Sequence, residues 1–158
     1  MYKAKDLDDY ARYMVSRIYS GHREPLRAAF ASTHRADFLG PAPWTVRQHY
    51  PLFGWGWRLT RNKRDCLTDT VIPLDASKNI NNGQPTFWAQ ILDQALYAPS
   101  PTTFLHRGCG AGYYTYLIAQ LFPDAQVHFV DTHPRLVPMA QENLREVPNA
   151  SYGDSEAS

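Results

Sequence analysis

Several features that would settle the class of this chain are scarce or missing. Its two cysteines, Cys66 and Cys109, lie far apart with neither a CxxC spacing nor a histidine partner. That argues against a disulfide framework and a zinc site, and points to a reducing compartment. Charge of one sign is also scarce. Sixteen basic and fifteen acidic residues give a formal net charge of +1, so no overall field draws the chain toward nucleic acid or an anionic membrane. No window approaches the roughly 18 apolar residues that spanning a bilayer needs. The amino terminus, Met1-Tyr2-Lys3, is charged and lacks an apolar signal region. Internal repeats and low-complexity tracts are absent. The expectation is a cytoplasmic protein with no nucleic-acid partner and no membrane partner.

What remains is globular material: 158 residues, 44% hydrophobic and 13% aromatic, enough for one domain with a core. From Asp6, a potential cap, Leu7, Tyr10, Ala11, Met14, Val15 and Ile18 recur at helical steps, predicting an amphipathic helix that ends near Gly21. Residues 24–31 suit a second helix with Pro25 in its first turn. Between Gly40 and Trp57 the density of Pro, Gly and aromatic residues predicts a covering loop. The basic run Arg58, Arg61, Lys63 and Arg64 beside it could hold single-stranded nucleic acid, but it is short and has no supporting net charge, so a solvated loop is the preferred reading.

After residue 79 the pattern changes. A helix over 86–97, closed by Pro99 and Pro101, is followed by an apolar run at 103–107, a helix at 113–122, a run at 126–130, a helix at 134–146 and a third run at 150–152. This βαβα alternation predicts an α/β fold with a parallel sheet. It divides the chain into a helical and loop region, 1–78, and a Rossmann-like half, 79–158.

Gly108, Gly110 and Gly112 fall between the first strand and its helix, where missing side chains let a ligand approach backbone and a helix amino terminus offers free N–H groups. Asp131 ends the next strand at about the 20-residue spacing of a ribose-binding carboxylate. The GxGxG spacing, in place of GxGxxG, favours S-adenosyl-L-methionine over a nicotinamide cofactor.

The segments INNGQP (Ile80–Pro85), FLHRGCGAGYYT (Phe104–Thr115) and FVDTHPRLVPMAQENL (Phe129–Leu144), with the Gly153-Asp154 pair, resemble the protein-L-isoaspartate O-methyltransferase family, as does AFASTHRADFLGP (Ala29–Pro41) upstream. The resemblance implies a class I methyltransferase core, incomplete here, with parallel strands between helices. By it, Gly108, Gly110 and Gly112 would face the amino-acid part of S-adenosyl-L-methionine, Asp131 its ribose and Asp154 its adenine. His106 stands where many such enzymes carry an acidic residue and joins the cofactor-binding set. Arg107 is out of place in a strand flanked by helices, where an unpaired buried guanidinium is costly. The family's isoaspartyl enzymes carry a serine where this chain has Asn81, Asn82 and Gly83, so isoaspartate repair does not follow. Asn81, Asn82 and Gln84 become candidate contacts for a peptide or protein acceptor.

Family members continue through further strands, so the first strand is expected at an open sheet edge, to be covered by a partner chain or self-association. The inherited reaction would be methyl transfer to a carboxylate of a peptide or protein. A noncatalytic cofactor-binding or assembly module, and an NAD-dependent oxidoreductase, are the rival readings.

Overall fold

The computed structural model describes residues 2–153. Helix α1 (Leu7–Met14) is capped by Asp6, whose carboxylate accepts the Asp9 N–H at 2.8 Å, and Asp8 and Asp9 complement its dipole. It stops earlier than the apolar spacing suggests. Residues 15–17 continue as a turn, in which the Val15 N–H still reaches the Ala11 carbonyl, and Val15 and Ile18 are buried. Helix α2 (Arg23–Ala31) packs Leu26, Ala29 and Phe30 inward.

The expected covering loop is instead an antiparallel hairpin, β1 (Trp44–Tyr50) and β2 (Gly54–Thr60), in full register from Trp44 opposite Thr60 to Tyr50 opposite Gly54. Three residues, 51–53, form its turn, and Gly54 takes a φ of 73° there. Trp44 and Val46 face inward onto Ala36, Cys66 and Ile72, a small separate core. Trp55, Trp57 and Leu59 alternate to the outer face and stay largely exposed. The period of two is visible in the sequence; the glycines that obscure it lie on the inner face opposite bulky neighbours.

A short second hairpin, β3 (Pro73–Asp75) with β4 (Ile80–Asn81), leads into α3 (Pro85–Ala95). Pro85 begins this helix, and Asp69 caps it from outside by accepting the Thr86 N–H at 2.9 Å. The region before residue 79 is therefore part helix and part hairpin.

Then β5 (Thr103–Arg107), α4 (Tyr113–Leu121), β6 (Gln126–Val130), α5 (Leu136–Leu144) and β7 (Ala150–Tyr152) alternate, and the three strands are parallel in the order β5-β6-β7. The α/β Rossmann-like expectation is met. One core runs through both regions: Tyr10, Phe30 and Leu92 belong to the same buried cluster as Tyr113, Leu117, Val127 and Ala140. Among the described residues, β5 lies at the sheet edge. Its Thr103, Leu105 and Arg107 are exposed, while Phe104 and His106 turn inward. Arg107 thus points to solvent, and the burial problem it posed does not arise.

Candidate functional site

The bend between β5 and α4 is built on backbone that only glycine adopts without strain. Gly108, Gly110 and Gly112 have φ values of 72°, 57° and 91°. Their surroundings differ. A Cβ on Gly108 would meet open space, whereas one on Gly112 would lie 2.9 Å from the Leu144 side chain, so that glycine lets α4 and α5 approach. Gly112 offers no side-chain cap, and the first turn of α4 begins with its N–H groups free of one.

Asp131, just past β6, turns toward this bend. Its Oδ2 accepts the Gly110 N–H and its Oδ1 the His133 N–H, both at 2.8 Å. The parallel register sets this up, since Arg107 is paired with Val130 and the Val130 carbonyl accepts from both Gly108 and Cys109. His133 is itself fixed. Its Nδ1 accepts the Arg135 N–H at 3.3 Å, which leaves Nε2 to donate to Asp75 at 3.1 Å. The Ser77 hydroxyl, followed by His133, holds the Asp75 carboxyl below the usual carboxylate range.

A cavity of about 170 Å³ opens between the bend, the Asn81–Gly83 segment and the face of α3. Trp88 forms one wall and stacks on Tyr114 with ring centroids 4.3 Å apart. Phe38 and Leu39 form another. His106 reaches the cavity from β5, edge-on to Trp88, with Nδ1 2.8 Å from the Thr115 hydroxyl. Burial, partly offset by the Asp131 carboxylate, pushes His106 down to about 4, so it is neutral near pH 7. The Cys109 thiol is pushed up to about 12 by burial and by Asp131, and is no nucleophile.

The opposite wall rests on Arg35, a fully buried guanidinium. It donates to the carbonyls of Thr68 (3.2 Å), Thr70 (2.8 Å) and Gly83 (2.6 Å) and to Asn82 Oδ1 (2.5 Å). Asn82 Oδ1 also accepts the Ile72 N–H, which fixes its amide, and its Nδ2 is buried without a hydrogen-bond partner among the described residues.

The structure brings His106, Gly108, Gly110, Asn81 and Asn82 to one cavity. Gly112 and Asp131 support it from behind and do not line it. Asn81 spends its side-chain oxygen on the Gly83 N–H at 2.9 Å. Gln84 is exposed and turns to Asp69 at 3.2 Å, so it does not join the cavity. Asp154 lies outside the described residues. Sequence reasoning missed Trp88, Phe38 and Arg35 as parts of the site. Arg35 and Phe38 did carry a signal, their place in the Ala29–Pro41 segment that resembles the family, whereas that of Trp88 was only its position on the inner stripe of a helix.

No protein-family model matches the sequence, and no curated protein matches it. Among solved structures the chain is similar to a protein-L-isoaspartate O-methyltransferase, with a TM-score of 0.67 and 17% identity over 94% of this chain. The chain spans 41% of the length of that structure. The fold is that of a methyltransferase core. Among the described residues no helix is long and apolar enough to cross a membrane.

Proposed function

We propose that the chain is an S-adenosyl-L-methionine-dependent methyltransferase of the protein-L-isoaspartate O-methyltransferase type, acting on a carboxylate of a peptide or protein. The observation that carries this reading is the bend of three left-handed glycines after a parallel strand, tied by the Gly110 N–H to the carboxylate that follows the neighbouring strand. Each Asp131 oxygen keeps a second lone pair, so the carboxylate can accept ribose hydroxyls while it holds the backbone.

The residues present fit the amino-acid end of that cofactor. Gly108 leaves room where a side chain would stand, and Asn82 Nδ2 is a buried donor in need of an acceptor. The cavity of about 170 Å³ is below the roughly 300–1,000 Å³ of sites that enclose a whole ligand, so the remainder of the cofactor would lie against the open side of the bend. When bound, the cofactor supplies an electrophilic methyl group. The chain's own part is positioning and exclusion of water, and neutral His106 adds no competing positive charge beside a sulfonium.

A noncatalytic cofactor-binding module is the second reading, favoured by the exposed Leu105 face of β5, where an acceptor pocket would need further walls. Calorimetric titration with S-adenosyl-L-methionine, S-adenosylhomocysteine and NAD tests both. The proposal expects binding of the first two and none of NAD. Gly108→Ala should weaken that binding at least tenfold while costing about 1–2 kcal/mol of stability. Absence of binding, or equal binding of NAD, overturns the cofactor assignment, and binding without methylation of any peptide carboxylate selects the noncatalytic module.

A further inference from the structure

A second cavity, of about 370 Å³, lies away from the glycine bend, between residues 3–5 ahead of α1, the inner face of the β1–β2 hairpin and the turn over 62–68. Its charge is one-sided. Lys3, Lys5, Arg47, Arg58 and Arg64 line it, and Asp65 is the only acidic side chain among the lining residues. That carboxylate is already committed, 2.8 Å from Arg58 and 2.5 Å from the Thr60 hydroxyl. Burial pushes Asp65 up, but Thr60, Arg58 and the nearby Lys3 ammonium more than offset this and hold it below the usual range.

Three cations are thereby left over. Among the described residues none of Lys3, Lys5 or Arg64 lies within ion-pair distance of a carboxylate. Arg47 is not one of the three: it shares the outer face with its cross-strand partner Trp57, and its guanidinium lies 5.0 Å from the Trp57 ring and 5.7 Å from Trp55, turned away from the cavity. In a chain whose formal net charge is +1, this concentration is local and not a reflection of composition. A concave wall of one sign focuses the field and raises the local concentration of opposite charge. The floor is different in kind: Val46, Leu67 and Ala4 are almost wholly buried, and Gln48, Asn62 and Thr68 supply neutral hydrogen-bonding groups.

We propose that this cavity binds a small organic molecule carrying two or more phosphate groups. Its volume falls within the roughly 300–1,000 Å³ of small-molecule sites. A phosphate monoester brings about −1.5 to −2 charges in a compact group, so two such groups match three cations, which single carboxylates in the same space do not. The guanidinium fork of Arg64 suits paired phosphate oxygens, and the apolar floor accommodates the organic body. The basic run in the sequence is thus divided: Arg58 and Arg64 serve the cavity, while Lys63 pairs with Asp37.

The test is calorimetric titration of the full chain with tripolyphosphate and, separately, with citrate, in about 0.1 M salt. The expected result is saturable binding of tripolyphosphate, tighter than citrate, and weakened at least tenfold in the Lys5→Glu/Arg64→Glu variant. Arg17→Glu/Arg23→Glu changes the net charge equally at exposed positions outside the cavity and should stay within twofold of the parent. Near-ultraviolet circular dichroism checks the fold, and Lys5→Gln/Arg64→Gln replaces the reversed pair if that pair unfolds. No binding at millimolar tripolyphosphate, equal weakening in both charge variants, or citrate binding as tightly as tripolyphosphate overturns the proposal.

Discussion

Replacing Asp131 by Asn removes one acceptor and the negative charge while keeping the shape of the side chain. In the parent each carboxylate oxygen receives a backbone N–H at 2.8 Å, one from Gly110 and one from His133. An amide has a single oxygen, so whichever way it turns, its NH₂ group confronts a backbone N–H. A hydrogen bond to a charged group contributes about 1.5–3 kcal/mol, and a stranded donor costs about 1–3 kcal/mol when fully buried. Asp131 is only half-buried, so water recovers part of this, and the expected loss is about 1–2 kcal/mol for Asp131→Asn. Asp131→Ala strands both donors and should cost roughly twice as much. Urea unfolding followed by circular dichroism at pH 7, without any cofactor, measures the scaffold role alone. If both variants unfold within about 0.3 kcal/mol of the parent, or if Asn and Ala are equivalent, the carboxylate does not support the bend in the way argued.

Three further outcomes follow from the same contacts. His106 has its pKa lowered from 6.5 to about 4, so its contribution to stability is complete above pH 6.5 and declines as the pH falls toward 4. The loss is on the order of 3 kcal/mol across that window, and His106→Asn should flatten the pH dependence of the urea midpoint there; an unchanged slope refutes it. Arg35→Met leaves three carbonyls and the Asn82 oxygen without their donor and should cost about 3 kcal/mol, a fall in Tm of roughly 6–12 °C, with Arg35→Lys recovering less than half; a Tm within 2 °C of the parent in either variant sinks this account. Gly83→Ala would place a methyl 2.6 Å from the Trp88 indole nitrogen at a φ of 74°, so tryptophan fluorescence should shift and stability drop by about 2 kcal/mol; an unaltered spectrum means that wall is softer than described.

The parallel half of the fold was legible because its signals agree. The runs at 103–107, 126–130 and 150–152 match β5, β6 and β7, and each is punctuated by glycine or proline where the chain reverses. The hairpin over 44–60 was not legible, because proline and glycine were weighted above an alternation that Trp55, Trp57 and Leu59 display openly. The site was readable where it is local: the glycines and Asp131 meet as expected. It was not readable where it depends on packing. Nothing in the neighbourhood of Arg35 announces that it will reach across to Asn82 and Gly83, and nothing beside Trp88 shows that it will lie flat on Tyr114.

The three glycines of the bend are not interchangeable. Position 112 is occupied by the approach of two helices, and position 108 opens onto free space. A mutational scan that treats the triplet as one motif would therefore merge two unrelated phenotypes, collapse of a helix seam and loss of a ligand. Substitution at 108 alone is the separable probe, a position where occupancy of the cleft can be read without dismantling what surrounds it.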